Sequence, residues 1–435
     1  MEPDWSERRL HFVGVGGAGM SGLALIARAL GAQVTGSDRS ESVYVTRLRE
    51  HGIEPRIGHA AGNVPAGAEV VYSTAVPPEN PERAVAQREL HRADLLAQIA
   101  ALKRCFAVTG THGKTTTAAM AAHALQGAGL DPAFVIGAEL PATGLGAGWG
   151  SGEWIVVEAD ESDRSLLKLD PEIAILTNAE LDHHATYASR LELEATFATF
   201  MARAGDQAVV WDRPTLRALC PPGAVPYDAV NPELTPEGSR FRWRELEVTL
   251  SVPGAHNAVN AAGALTACAL AGADPARAVA ALASFRGARR RLELAGSTAA
   301  GAAVYDDYAH HPTEVAAAIA AARTLRPRRL VATFQPHLFS RTRALAPAFG
   351  AALAAADEVV VLPVYPARER AADFPGVEGT LIAAAAADAA PGRPVAWMPG
   401  FEPARAFLTS ILREGDLALL MGAGDIDALG RSLVA

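Results

Sequence analysis

The sequence predicts an α/β protein whose mainly parallel sheets are divided among three domains. Two patterns carry this reading. Short apolar runs alternate with alanine-rich helical stretches almost throughout, and two glycine-rich turns each join such a run to a helix. Length is the third observation: 435 residues exceed one ordinary domain and leave two or three of them enough chain to bury a core. In order, the candidate strands are Leu10 to Val15, Glu69 to Ser73, Cys105 to Thr109, Trp154 to Glu158, Ile173 to Thr177, Gln207 to Trp211, Ala303 to Asp306, Arg329 to Phe334, Glu358 to Leu362, Pro394 to Met398 and Asp416 to Met421. They fall into three groups: up to about Ala100, from Lys103 to about Gly296, and from near Ala302 to the end. Within the second group, the Pro-rich and charge-rich stretch Cys220 to Val252 predicts an insertion of turns and antiparallel strands. Gly254 to Ala273 carries no charge and is mostly Ala and Gly; it reads as a buried helix with a polar N-terminal end, not a membrane span. Leu381 to Ala390 is a helix of strong formers.

Composition excludes several classes. Hydrophobic residues at 50% and charged ones at 20% describe a soluble globular chain, and a net charge of -9 argues against a nucleic-acid binder, whose phosphate contacts need a basic face. Three cysteines, far apart and without CxxC spacing, imply a reducing compartment and neither a disulfide framework nor a zinc site. No charged segment followed by a long apolar core opens the chain, so a cytoplasmic protein without a membrane partner is expected.

The first glycine turn lies in "HFVGVGGAGMSG", His11 to Gly22, where Gly14, Gly16 and Gly19 fit GxGxxG between a strand and the helix Met20 to Leu30. Glycines let the backbone approach a diphosphate, and a helix N-terminus offers N–H groups and a positive dipole end. Asp38, after the apolar run Ala32 to Thr35, sits where such folds place an acid that accepts from a ribose hydroxyl. These residues alone fit a nicotinamide-dependent oxidoreductase as well as any other diphosphate binder.

The second turn, "VTGTHGKTTTAAM" (Val108 to Met120), is the stronger signal. Lys114 can reach the β- and γ-phosphates, backbone N–H groups of Gly110 to Thr115 can cradle them, and the Thr115 hydroxyl can ligate Mg²⁺. With Val at 108 the ordinary phosphate-loop spacing is one glycine short. "VVEADESD" (Val156 to Asp163) and "ILTNAELDHHATY" (Ile175 to Tyr187) each end a strand in acids, the second with Asp182, His183 and His184. Acids and an imidazole at neighbouring strand ends beside a phosphate loop suit one or two hard cations.

These motifs, together with "STAVPPENPE" (Ser73 to Glu82), "GAHNAVNA" (Gly254 to Ala261), "FRGARRRLE" (Phe285 to Glu293), "DDYAHHPTE" (Asp306 to Glu314), "FQPHLFSRTR" (Phe334 to Arg343) and "MGAGDI" (Met421 to Ile426), resemble those of the Mur ligases, the ATP-dependent amide-forming family of peptidoglycan precursor synthesis. "DDYAHHPTE" and "FQPHLFSRTR" resemble the alanine-adding branch. So does the absence of lysine from Ala188 to Asp206, where other branches carry a carbamylated one.

The resemblance implies a UDP-sugar-binding Rossmann-like domain over residues 1–101, a P-loop ATPase-like central domain over 102–297, and a Rossmann-like amino-acid-binding domain over 298–435. It implies ATP and Mg²⁺ as cofactors, UDP-N-acetylmuramate and L-alanine as substrates, an acyl-phosphate intermediate, and a monomer or weak homodimer. Gly16, Gly17, Ala18, Gly19, Met20, Ser37, Asp38 and Ser73 would meet the nucleotide sugar. ATP would be met by Gly110, Thr111, His112, Gly113, Lys114, Thr115, Thr116, His256, Asn257, Asn260, Arg290 and Asp306, with Asp307 an alternative to Asp306. Lys114, Glu158 and His183 would carry catalysis. Thr115, Glu158 and His183 would hold metal, with Glu161 a close alternative. Tyr308, His310, His337 and Arg341 would form the amino-acid pocket, Arg341 anchoring the carboxylate. Leu338, Ala185 and Gly146 replace an arginine, an acid and an asparagine of the family pattern and bear on amino-acid identity. A nicotinamide-dependent oxidoreductase and a weakened ligase homologue with a regulatory role are the competing readings.

Overall fold

The structure, a computed structural model, describes residues 4–140, 144–183 and 186–434. The chain forms two compact units: one of Met1–Leu181, Thr186–Asp228 and Asn260–Leu282, the other of Asp182–Ala185, Ala229–Val259 and Ala283–Ala435.

The first unit holds two sheets. One comprises β1 (Arg9–Val13), β2 (Gln33–Asp38), β3 (Arg56–Ile57), β4 (Glu69–Tyr72) and β5 (Arg88–His91), all parallel in the order β3-β2-β1-β4-β5. Its helices are α1 (Ala18–Ala29), α2 (Val43–Glu50), the short α3 (Pro81–Ala84) and α4 (Arg92–Ala100). Four of the five β1 residues are buried, as a central parallel strand covered on both faces requires.

The second sheet begins with β6 (Arg104–Thr109), which feeds α5 (Lys114–Gly127). It continues with β7 (Ala133–Leu140), β8 (Leu145–Gly148), β9 (Trp154–Glu158), β10 (Ile173–Leu176), α6 (Arg190–Ala204), β11 (Ala208–Trp211), α7 (Pro214–Arg217) and β12 (Val225–Tyr227). The strand order is β12-β11-β10-β6-β9-β7-β8, and only β8 runs antiparallel. Between the two sheets, Gly22 of α1 meets β8 so closely that a Cβ there would lie 2.9 Å from that of Ala147. Arg47 pairs with the buried Glu139, and Lys168 with Asp94 at 2.6 Å.

The second unit contains an antiparallel sheet of β13 (Glu233–Thr235), β14 (Gly238–Trp243) and β15 (Leu246–Leu250). The next elements are α8 (Ala255–Leu270) and α9 (Pro275–Leu282), of which α9 and all of α8 after Val259 belong to the first unit. The C-terminal sheet follows: β16 (Glu293–Ser297), β17 (Ala303–Asp307), α10 (Pro312–Thr324), β18 (Arg329–Phe334), α11 (Phe339–Leu353), β19 (Glu358–Val361), α12 (Thr380–Ala389), β20 (Val395–Trp397), α13 (Phe401–Ile411), β21 (Asp416–Met421) and α14 (Ile426–Leu433). The order is β16-β17-β21-β18-β19-β20, parallel except for β16.

Every strand expected from an apolar run is present, with ends shifted by at most two residues. Within Cys220 to Val252, the antiparallel strands occupy only 233–250. Val225–Tyr227 instead joins the parallel sheet at its edge, where the missing N–H of Pro226 is tolerated. Among the described residues, no helix is long and apolar enough to cross a membrane.

Candidate active site

The second glycine turn is shaped by its neighbours. Gly110 has φ +128° and Gly113 +79°, a region that favours glycine. A Cβ on Gly110 would lie 2.2 Å from the Thr177 hydroxyl, and one on Gly113 would lie 2.8 Å from the Asn260 side-chain oxygen. Just past β10, Thr177 donates to the His112 carbonyl (2.6 Å), while Asn178 accepts from the His112 N–H (2.8 Å) and donates back to its carbonyl (2.9 Å). Thr111 donates to the Glu180 carbonyl (2.8 Å). The loop is therefore held open at the start of α5, whose cap Gly113 provides no side-chain hydrogen bond. Thr116 is buried in the first turn of that helix.

Lys114 curls over the loop. Its ammonium donates to the carbonyls of Gly110 (2.7 Å) and Thr111 (3.1 Å) and pairs with Glu161 at 2.7 Å. Burial works against its charge, but the carboxylates of Glu161, Glu158 and Asp160 outweigh burial and hold its pKa above the ordinary value. One residue on, the Thr115 hydroxyl lies 3.0 Å from both oxygens of Glu158, one of which also accepts from Gly137 N (2.8 Å). A hydroxyl converging with a carboxylate is an all-oxygen donor set, which suits a hard cation such as Mg²⁺. Of the two acids left open by the sequence, Glu158 faces this hydroxyl and Glu161 the lysine.

At the first glycine turn, Gly16 N donates to Asp38 (2.8 Å), so that acid is already engaged with the turn. A Cβ on Gly16 would meet Asp38, Ser42 and Val45, each at 2.9 Å. Gly17 caps α1 without a side-chain bond, and Ala18 and Gly19 form its first turn. Ser73 is half-buried after β4. Two expected ligand side chains point elsewhere: Met20 is in the core, and the buried Ser37 hydroxyl donates to Glu82. A pattern match at a turn does not say which way each side chain faces.

In the second unit, Arg341 and Asp182 are both buried and form a two-pronged pair, Nε to Oδ1 at 3.0 Å and Nη2 to Oδ2 at 2.9 Å. Burial alone would raise the Asp182 pKa, but Arg341 and then His183 hold it well below the usual range. Arg341 Nη1 lies 3.1 Å from His337 Nδ1. The rings of Tyr308, His310 and His337 follow one another at 5.4 and 6.0 Å, and His337 stacks on Tyr365 at 5.7 Å. The four residues expected for the amino-acid pocket therefore do converge. Two of the three guanidinium nitrogens of Arg341 are held by Asp182, a partner that the sequence did not suggest. Burial pushes His310 down to about 4 and His337 to about 3, so both rings are neutral near pH 7. His183 has φ +54°, with Nε2 3.7 Å from Asp182; Ala185 lies outside the described residues.

Arg290 donates to Asp306 (2.9 Å) and to the carbonyls of Gly424 (3.0 Å) and Gly422 (2.8 Å), bracing the turn after β21. Burial raises both Asp306 and Asp307, the latter to about 6. His256 is exposed in the first turn of α8, whereas Asn257 donates to the Pro253 carbonyl at 2.7 Å, a cap-like bond. Only Asn260 among these three faces the phosphate loop within its own unit.

A glycine-rich loop at a helix start, with a hydroxyl and a carboxylate converging beside it in a chain of mainly parallel sheets, is the pattern of a nucleotide-dependent enzyme. Three family models match the chain: "Mur ligase family, catalytic domain" over residues 9–104, "Mur ligase middle domain" over 108–268, and "Mur ligase, glutamate ligase domain" over 290–424. The chain belongs to the Mur ligase family and is an ATP-dependent ligase. It is 44% identical to the UDP-N-acetylmuramate–L-alanine ligase of Streptomyces griseus, over 97% of this chain and 96% of the relative, and 42% identical to the enzyme of that name from Mycobacterium sp. strain JLS, over 98% and 95%. The solved UDP-N-acetylmuramate–alanine ligase of Thermotoga maritima superposes with a TM-score of 0.83 at 29% identity, covering 98% of each chain.

Proposed function

We propose that this ligase joins L-alanine to the carboxylate of UDP-N-acetylmuramate, with ATP consumed to ADP and phosphate through an acyl phosphate. The observation that carries the chemistry is the pairing of Lys114 and Thr115 at one helix start with Glu161 and Glu158 at the end of the adjacent strand. Two anions, the γ-phosphate and the sugar carboxylate, must meet. Lys114 offsets their repulsion, and the loop N–H groups orient the phosphates. Thr115 and Glu158 would hold magnesium, which neutralises phosphate charge when bound. The alanine-ligase relatives support the choice of substrates.

The first glycine turn is assigned to the diphosphate of the nucleotide sugar. Tyr308, His310, His337 and Arg341 are assigned to the amino acid. His183 as ligand to a second ion, and His256, Asn257, Arg290 and Asp306 as ATP contacts, rest on the family resemblance. Leu338 is buried and puts no charge where the family pattern has an arginine, which favours tolerance of glycine or serine or a weaker hold on the amino acid. The test is ADP release with UDP-N-acetylmuramate and each candidate amino acid in turn. Turnover with L-alanine is expected, and none above background with any amino acid would overturn the proposal.

A further inference from the structure

Arg92 opens α4 and was not marked by any motif. Its Nη2 lies 2.9 Å from Asp160 and 3.6 Å from Asp163, in the acidic loop that follows Glu158 at the end of β9 and carries Glu161. The same loop is bound from the first sheet by Thr74, whose hydroxyl donates to Asp163 at 3.1 Å. The other edge of the guanidinium faces α1: Nη1 is 3.7 Å from the position that a Cβ on Gly19 would occupy. No hydrogen bond or ion pair of Nη1 is found among the described residues. One prong of a planar fork is thus fixed on the ATP-side loop, while the other lies over the first turn of an uncapped helix.

We propose that Arg92 contacts the diphosphate of the nucleotide sugar and, through Asp160, links that site to the acidic loop beside Lys114. The proposal rests on the assignment of the first glycine turn to the nucleotide sugar. Guanidinium geometry suits it, since a fork with spare N–H groups binds phosphate oxygens while keeping a carboxylate partner. Asp160 sets the rotation of the fork, and the uncapped N–H groups of α1 supply the rest of an anion cradle. Arg92 then acts both as a ligand contact and as a positioning residue for the acidic loop.

The test is calorimetric titration of the full chain with UDP, and separately with UDP-N-acetylmuramate, for the unaltered protein and for Arg92→Ala, Arg92→Lys and Lys168→Ala. Lys168→Ala removes the Lys168–Asp94 pair between the same two sheets, so it reports a purely structural tie. Loss of one charge-assisted contact predicts at least about tenfold weaker binding of both ligands to Arg92→Ala. Arg92→Lys should recover part of the loss, and the KM for ATP should rise in Arg92→Ala, where Asp160 loses the partner that positions the acidic loop. Lys168→Ala should bind like the unaltered protein. Undiminished UDP binding by Arg92→Ala, or an equal loss in Lys168→Ala, overturns the proposal. An unaltered chain that binds neither ligand overturns the nucleotide-sugar assignment, and this proposal with it.

Discussion

The ammonium of Lys114, at the start of the helix after the phosphate loop, pairs at 2.7 Å with the fully buried carboxylate of Glu161. The lysine also donates to two loop carbonyls, so its charge is held against the loop. The positive charge is therefore fixed beside the loop, and because all three ammonium N–H groups are engaged, one contact must be released when the lysine turns to a phosphate.

Lys114→Ala should lower turnover at least about 10²-fold, the scale for losing one preorganised charge-stabilising group. It also strands Glu161, which should cost about 3 kcal/mol of stability. Pairing it with Glu161→Gln should restore the melting temperature but not the turnover. ADP release and thermal melts on the two variants and the unaltered protein separate the two effects, and wild-type turnover in Lys114→Ala would remove this residue from the mechanism.

Gly110→Ala should be inactive and less stable by about 2 kcal/mol or more, because the new methyl would sit on the Thr177 hydroxyl in a backbone region that side chains avoid. Gly62→Ala, in open space at an ordinary φ, serves as the control. Equal melting temperatures for the two variants would contradict the crowding argument.

Thr115→Val and Glu158→Gln should each raise the magnesium concentration that gives half-maximal turnover, while leaving binding of UDP unchanged. A magnesium titration of ADP release, set beside calorimetry with UDP, checks both halves. An unshifted magnesium requirement would place the ion elsewhere.

Glu82 is buried and accepts from Asn63 (2.6 Å), Ala60 N (3.1 Å) and Ser37, with His11 and His59 facing it at 3.4 and 3.5 Å. Burial alone would raise its pKa, but bonds from His11, Ser37, Asn63 and Ala60 outweigh that and bring it down to about 2. A carboxyl whose folded value lies below its unfolded value of about 4.3 stabilises the fold above that pH and ceases to as pH falls through the folded value. The stability difference between the unaltered protein and Glu82→Gln should therefore be largest at neutral pH and shrink between about pH 5 and pH 2. Denaturant melts across that range provide the check, and a pH-independent difference would contradict it.

The strands Arg329–Phe334 and Asp416–Met421 were legible to the residue because strands buried on both faces are continuously apolar. Arg88–His91 was not, since an edge strand reading "RELH" has no apolar signal, and the β7–β8 hairpin is interrupted by glycine and alanine. At the site, Lys114 and Thr115 on their helix start and Glu158 at a strand end were readable, whereas the side-chain directions of Met20 and Ser37 were not. Partners brought from afar were not. Arg92 meets Asp160 across 68 positions and Arg341 meets Asp182 across 159, and no spacing rule links such residues before the sheets are assembled. For Thr177 and Asn178 the sequence does carry a signal, "TN" at the end of a strand beside the phosphate loop.

That pair also has a temporal consequence. The bonds from Thr177 and Asn178 to His112 span 65 and 66 positions, so the loop receives its shape from residues made well after it. A nascent chain that ends before Thr177 carries the whole glycine motif without these two side chains. Closing so long a segment has an entropic cost that only docking of β10 can offset. The phosphate loop therefore takes its shape only after synthesis has passed Asn178, well beyond the glycine motif itself.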